Sequence, residues 1–125
     1  MSVLVDRSIW VNYFRGAGDT DTLDHLIDHG LVVINDLILA ELVPYLRIQK
    51  QRQVISILSS IKKAPIVIDW GHIIDMQVKC AQQGINNVGI PDLIIAQNAI
   101  ENTLDLYTLD KHFKLMSKHL PLSLY

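Results

Sequence analysis

The sequence of 125 residues predicts an α/β protein in which a mostly parallel sheet of four or five strands lies between layers of helices. Two observations carry this prediction. Short apolar runs alternate along the chain with longer segments whose apolar residues recur at helical spacing. The apolar runs also lack polar alternation, which is typical of parallel strands covered on both faces. The length suits one domain, residues 1–125, with a substantial core.

The strands are predicted where apolar runs end at polar or turn-forming residues. They lie at 2–5, 31–34, 65–69 and 103–108, and residues 120–125 are a candidate fifth strand. Helices are predicted from an N-cap at Ser8 to near Gly16, then at 18–30, from Asn35 or Asp36 onward, and at 49–61, 70–83, 89–102 and 110–119. Pro44 is expected to kink the third helix or shift its hydrogen bonds.

Composition excludes several classes of protein. The net formal charge of −2 means that any nucleic-acid contact must come from local basic patches. The single cysteine, Cys80, rules out an intramolecular disulfide and a zinc site built on several cysteines. The N-terminus lacks the basic region of a secretory signal, and no apolar run reaches the roughly 18–20 residues of a membrane span. We therefore expect a cytoplasmic protein without membrane contact.

Glu41 is the one charged residue in the otherwise apolar stretch 37–46. An apolar helix of this kind is expected to be buried, and an ionised carboxylate there is costly unless a partner replaces its water. Two kinds of partner are consistent with the sequence. One is an arginine, such as Arg7 or Arg15, and the other is a metal ion.

Three further acids lie near the edge of the sheet where ligand sites form, at the carboxyl ends of strands. Asp6 ends the first predicted strand, Asp110 follows the fourth by two residues, and Asp92 starts a helix entered through Pro91. Each acid alone is equally well explained as a cap or as a first-turn charge that favours the helix dipole. Together, converging carboxylates would raise one another's pKa, and a hard divalent cation would relieve that repulsion.

Four motifs, in order, resemble those of PIN-domain nucleases, and most closely VapC-type toxins. The motifs are the opening VLVDRSIWVNYFRG, the segment ILAEL, the stretch GIPDLIIAQNAIE and the closing LYTLDKHF. Their order and spacing cover essentially the whole chain. The resemblance implies a PIN-like three-layer sandwich and an acidic quartet that is both catalytic and metal-binding: Asp6, Glu41, Asp92 and Asp110. It also implies supporting hydroxyls at Ser8 and Thr108.

The activity implied by the resemblance is that of an endoribonuclease toxin from a type II toxin–antitoxin system, with Mg²⁺ or Mn²⁺ as cofactor and structured RNA, often tRNA, as substrate. The partners implied are a small antitoxin and a second copy of the chain in a homodimer. Candidate RNA-binding residues are Arg7, Arg15 and Lys111, although solvated helix faces explain such residues equally well. Three departures from the family pattern stand out. Arg7 replaces a small hydroxyl residue, and His112 stands where many members have another acid. Pro44 follows Glu41 by three residues, which is expected to affect the direction in which Glu41 points.

Rival functions have different requirements. A phosphoacceptor receiver domain would need adjacent acids after its first strand and a lysine after its fifth, whereas Arg7 follows Asp6 and no late strand presents a lysine. A catalytically inactive PIN domain that binds RNA or protein would not need the intact quartet. A PIN nuclease that processes RNA or cuts DNA would share the quartet, and only its substrate and genetic context would separate it from a toxin.

Overall fold

The computed structural model describes residues 1–125 as a parallel sheet flanked by helices. The strands are β1 (Val3–Val5), β2 (Val32–Ile34), β3 (Lys62–Lys63) and β4 (Asp105–Tyr107). The helices are α1 (Arg7–Phe14), α2 (Thr20–Asp28), α3 (Asp36–Ile48), α4 (Arg52–Ser60), α5 (Trp70–Gln82), α6 (Ile90–Glu101) and α7 (Lys111–Ser117). None of these helices combines the length and hydropathy needed to cross a bilayer.

The strands lie in the order β3-β2-β1-β4, and all of their pairings are parallel. Val3 is in register with Val32 on one side and with Asp105 on the other. A single parallel bridge joins Leu106 to Leu124, so the C-terminal segment extends the sheet beyond β4. The predicted mostly parallel sheet of four or five strands is therefore confirmed.

The position of β1 between two other strands, in the middle of the sheet, explains why its sequence is continuously apolar. Successive side chains of a strand point to opposite faces, and Val3, Leu4 and Val5 are all fully buried. Both faces of the sheet are therefore covered. Thirty buried residues from strands and helices form one continuous hydrophobic core around it.

The strand predicted at 65–69 is wrong, because β3 lies earlier, at Lys62–Lys63. The backbone N–H of Ala64 still donates to the carbonyl of Ile34, at 2.8 Å. Pro65 follows and has no N–H, so pairing with β2 cannot continue in the same pattern.

Side chains of α6 bind the backbone of segment 65–69 instead of a strand. The Asn98 amide donates to the carbonyl oxygen of Pro65 at 3.0 Å. The Gln97 side chain accepts from the backbone N–H of Asp69 at 3.1 Å and donates to its carbonyl at 3.0 Å. These bonds satisfy backbone polar groups of the part-buried segment, which is held beside α6 without entering the sheet.

The strand order reverses direction once, and this reversal determines where a ligand-binding crevice forms. The chain moves outward from β1 through β2 to β3, and β4 then lies on the opposite side of β1. A crevice forms at such a switch point, outside the carboxyl ends of the two strands. Asp6 directly follows β1, and Asp110 follows β4 by three residues.

Candidate functional site

A cleft of about 490 Å³ opens at this switch point. It is bounded by the segments that follow β1 and β4, by one side of α1 along its length, by the middle of α3 and by the first turns of α6 and α7. Its lining residues are Asp6, Arg7, Ser8, Val11, Asn12, Arg15, Glu41, Asp92, Leu109, Asp110 and Phe113. The structure thus brings together all four acids of the predicted quartet.

Asp6 is buried, with 6% of its surface exposed, and two hydroxyls orient it. Its Oδ2 accepts a hydrogen bond from Ser8 Oγ at 3.0 Å and another from Thr108 Oγ1 at 2.9 Å. The backbone N–H groups of Leu109 and Asp110 donate to those two hydroxyls, each at 3.0 Å. Each hydroxyl therefore accepts from the backbone and donates to Asp6, which fixes Oδ2 as an acceptor and leaves Oδ1 available to a ligand.

These contacts correct the predicted cap of α1. The helix begins at Arg7, so the N-cap position belongs to Asp6 and Ser8 lies inside the helix. The Asp6 carboxylate makes no capping bond to the backbone of α1. The capping alternative therefore fails for Asp6, because its side chain is turned toward Ser8 and Thr108 instead.

Glu41 lies on the cleft side of α3 and has no cationic partner. The ion pairs of the protein, within 4.0 Å, involve other residues, so a buried arginine pair does not explain Glu41. The helix is also not buried all round as expected: it buries Ile38, Leu42 and Leu46 on one face, whereas Glu41 is exposed to the cleft. The cleft walls still remove part of its water, and this desolvation, followed by the charges of Asp6 and Asp92, raises the pKa of Glu41 despite the opposing effect of Arg7.

Asp92 lies in the first turn of α6 and is half-buried. Burial raises the pKa of its carboxyl most, and the charges of Asp110 and Asp6 raise it further. A backbone hydrogen bond involving Gly89 and the charge of His112 act in the opposite direction. The repulsion expected from converging carboxylates is therefore present at this residue.

Asp110 caps α7 and also faces the cleft. Its Oδ1 accepts from the backbone N–H of His112 at 2.9 Å, so the capping interpretation holds for this acid. His112 Nδ1 lies 3.2 Å from the same oxygen. Ligand atoms of Asp92, Asp110 and His112 all lie within 4.8 Å of one another. His112 lies outside the predicted quartet, although its place in the LYTLDKHF motif, at a position where many members have an acid, is a usable signal for a ligand.

The donor set fits a divalent cation. Four carboxylates line one cleft, two of them have raised pKa values, and no lysine or arginine nitrogen lies within 4.0 Å of any of them. Carboxylate oxygens are the ligands that Mg²⁺ and Mn²⁺ prefer. A bound cation would offset the repulsion that the protein itself leaves uncompensated.

The three predicted RNA-binding residues fall into two groups. Arg7 and Arg15 are exposed and line the cleft. Arg15 Nη2 also donates to Tyr45 Oη at 3.5 Å, and its guanidinium carbon lies 6.0 Å from the centre of the Tyr45 ring. Lys111, at the start of α7, is exposed but does not line the cleft.

Solved structures with a similar fold include VapBC2 from Rickettsia felis bound to a DNA fragment from its promoter, with 21% identity and a TM-score of 0.78 over 100% of this chain and 98% of that chain. DNA-bound VapBC from Salmonella typhimurium has 14% identity and a TM-score of 0.76, over 100% and 97% of the two chains. The FitAcB structure from Neisseria gonorrhoeae has 16% identity and a TM-score of 0.69, over 98% and 96%. At these identities the likeness establishes the fold.

A direct search among curated protein sequences found no significant match. The sequence model of the PIN domain, in contrast, matches residues 3–118, which is nearly the whole chain. The matched region contains every acid of the cleft. The chain therefore belongs to the PIN domain family.

Proposed function

We propose that this protein is a metal-dependent endoribonuclease toxin that hydrolyses phosphodiester bonds in structured RNA, with tRNA as the first candidate substrate, and that a cognate antitoxin neutralises it. PIN domains are generally nucleases. The observation that carries the proposal is the convergence of Asp6, Glu41, Asp92 and Asp110 on one cleft with no lysine or arginine nitrogen within 4.0 Å of their carboxylates. We also infer that residues 1–125 form a single PIN domain.

The four carboxylates would hold Mg²⁺ or Mn²⁺, and a different part of the structure holds each of them in place. Asp6 is fixed by Ser8 and Thr108, whereas Asp110 is fixed by its bond to the backbone of α7. Glu41 and Asp92 come from two helices that pack against each other, α3 and α6. A divalent cation, when bound, makes water a better nucleophile near neutral pH and offsets the charge that develops on a phosphodiester.

Arg7 and Arg15 supply positive charge for the RNA phosphates, which the carboxylates alone would repel. Both line the cleft that holds the acids, so a phosphate in the cleft is near guanidinium groups as well as carboxylates. Guanidinium groups suit phosphate because they donate two parallel hydrogen bonds. We propose Lys111 as a contact for RNA that extends beyond the cleft rim, because it is exposed beside Asp110.

The antitoxin proposal rests on the kind of assembly in which the similar folds occur. The Rickettsia felis and Salmonella typhimurium structures are VapBC complexes bound to DNA. We infer that this chain likewise binds a small antitoxin, encoded by a neighbouring gene. Co-expression of the two genes should relieve the growth arrest caused by the toxin alone, and growth that is equally poor with and without the neighbour would count against the pairing.

We further propose that the chain forms a homodimer through α5. This helix exposes Trp70, Ile74 and Val78 by 58%, 61% and 50%, at positions four residues apart along one face. Apolar side chains in such a row are typical of an interface between subunits. Sedimentation of the wild type and of Ile74→Lys should give a dimer and a monomer, and a wild-type monomer at micromolar concentration would contradict the proposal.

Cleavage of a total tRNA preparation with Mg²⁺ or Mn²⁺ tests the proposed activity. Asp92→Asn should lower the rate by roughly 100-fold or more, since loss of a mere supporting contact at a metal site already costs about 10- to 100-fold. The matched control is Asp75→Asn, an exposed acid on α5 outside the cleft, which should cut at the wild-type rate. Metal removal by a chelator should stop cleavage by both.

The products and the cation titration separate the alternatives. Hydrolysis by water leaves 5′-phosphate and 3′-hydroxyl ends, whereas 2′,3′-cyclic phosphates would show attack by the RNA's own hydroxyl and overturn the mechanism. Calorimetric titration with Mn²⁺ should show binding that weakens in Asp92→Asn. Equal binding by both proteins, or none, would favour a catalytically inactive PIN domain that binds RNA or protein.

A further inference from the structure

One nitrogen donor stands among the carboxylates of the cleft. The chain has five histidines, and His112 is the one whose ring lies with Asp92 and Asp110 in a group of potential ligand atoms no more than 4.8 Å apart. The three side chains come from two helices, α6 and α7, and each is only partly exposed. No other group of three or more histidine, cysteine, aspartate or glutamate side chains lies this close in the protein.

The distance between His112 and Asp110 suits two ligands of one ion. Their Nδ1 and Oδ1 atoms are 3.2 Å apart. Neighbouring ligands in an octahedral site, with bonds of about 2.1 Å at right angles, lie about 3 Å apart. The backbone that carries the ring is also held in place, because the backbone N–H of His112 donates to Asp110 at the start of α7.

Nitrogen and oxygen ligands select different cations. Mg²⁺ prefers carboxylate oxygens and water, whereas imidazole favours first-row transition ions. We propose that His112 is a direct ligand of the cleft's cation and that it shifts the preference of the site from Mg²⁺ toward later transition ions such as Co²⁺. This inference rests on the proposed metal-dependent function and names the residue that sets the cation preference.

The same geometry would also serve a purely structural contact between His112 and Asp110. Such a contact would hold α7 in place, and its loss would weaken the binding of every cation by a similar factor. A ligand role, in contrast, changes the ranking of cations. The ratio of Mg²⁺ to Co²⁺ dissociation constants therefore separates the two roles, whereas either dissociation constant alone does not.

The test compares the wild type with His112→Asp and His112→Asn by calorimetric titration with Mg²⁺ and with Co²⁺. We expect His112→Asp to lower the Mg²⁺-to-Co²⁺ ratio of dissociation constants by about tenfold or more, because a carboxylate replaces the imidazole. His119→Asp is the matched control, since His119 is a partly exposed histidine just beyond α7 and outside the cleft. That control should leave the ratio unchanged.

A second measurement, made on the wild type, detects directly whether the His112 ring binds the cation. Ring nitrogen resonances of the histidines, recorded during a Zn²⁺ titration, should shift for His112 at the first equivalent. All titrations are repeated with His25→Asn, because the His25 and His29 rings lie 4.1 Å apart on the surface and offer a separate pair of nitrogens. The resonance assigned to His112 is the one missing from His112→Asn.

The outcomes distinguish this inference from the proposed function. If the wild type binds no divalent cation, both fail together. If cations bind and weaken in Asp92→Asn, but both His112 variants keep the wild-type ratio within about threefold, the function stands and the ligand role is overturned. An unshifted His112 resonance beside normal cation binding would overturn it in the same way, even if the variants fold poorly.

Discussion

Two corners of this molecule share a local design and differ in what they face. In each, an aspartate caps a helix, and its Oδ1 accepts from the backbone N–H of a nearby histidine: Asp69 with His72 at 3.1 Å, and Asp110 with His112 at 2.9 Å. Both histidine rings are partly exposed. On local sequence alone, the two corners are almost equivalent.

Helix α6 makes the difference, because it contributes a residue to each corner. Near its start it places Asp92 beside Asp110 and His112, where charge accumulates. Further along, it places Gln97 beside Asp69, and the Gln97 amide nitrogen lies 3.1 Å from His72 Nδ1. The amide satisfies hydrogen bonds without adding charge. Glu101 of α6 also lies 4.0 Å from His72 Nδ1, but Asp69, His72 and Glu101 do not form a group of ligand atoms as close as that at Asp110. An aspartate at a helix cap and a nearby histidine therefore join a close group of potential metal ligands only where a further acid lies near both.

The largest expected effect is the difference between Asp110→Asn and Asp69→Asn, in which each capping aspartate is replaced by asparagine. Asparagine caps helices about as well as aspartate, so only the charge is removed. Asp110→Asn should lower RNA cleavage by roughly 100-fold or more, as expected for the loss of a metal ligand, and weaken Mn²⁺ binding. Asp69→Asn should change neither. Cleavage rates and calorimetry, with thermal unfolding as the check on folding, measure the contrast.

Equal losses in the two variants would show that the corners do not differ as proposed. An active Asp110→Asn protein with unchanged Mn²⁺ affinity would remove Asp110 from the ligand set while leaving its capping role intact.

A smaller effect, on stability, is expected from Gln97→Leu. The substitution deprives the backbone N–H and carbonyl of Asp69 of their partners in a part-buried segment. Leaving such groups unpaired costs about 1–3 kcal/mol each, so we expect a loss of roughly 2–4 kcal/mol in the free energy of unfolding. Urea denaturation measures it, and Gln77→Leu, an exposed position on α5, is the control. A loss below that of the control would mean that segment 65–69 does not depend on Gln97.

The smallest expected effect is a pH-dependent gain in stability in Asp92→Asn without metal. The folded protein raises the pKa of Asp92, so the ionised form opposes folding. That carboxyl favours the folded state fully only below its unfolded pKa, and the benefit is lost as the pH rises through the raised folded value. Asparagine should therefore stabilise the metal-free protein at neutral pH, by less than about 1 kcal/mol because the site is partly solvated, and should give no such gain in acid.

Thermal unfolding at neutral and acidic pH, in the presence of a chelator, measures this difference. Asp69→Asn is again the comparison and should show no matching gain at neutral pH. A neutral-pH loss of stability in Asp92→Asn would mean that the carboxylate makes a favourable contact in the folded protein that outweighs the repulsion.

Much of this protein could be predicted from local sequence. Apolar runs identified β1, β2 and β4, periodicity and caps identified the helices, and the four motifs pointed to the acids of the cleft. The prediction at 65–69 failed although Pro65 carried a warning, since proline has no N–H to donate to a neighbouring strand. Gln97 carried a second warning. Like Glu41, it is a polar residue in an apolar stretch, and such a residue needs a polar partner, here the backbone of Asp69.

The tertiary structure alone decided which of these residues meet. Asp6 and Thr108 are 102 positions apart in the chain, yet a 2.9 Å hydrogen bond joins them because β1 and β4 are neighbours in the sheet. The same reason makes Asp110 a member of a charged cluster and Asp69 a partner of an amide. Caps and periodicity depend on residues a few positions apart, so the sequence by itself determined them. The charge of a site depends on distant segments, and only their packing brings those together.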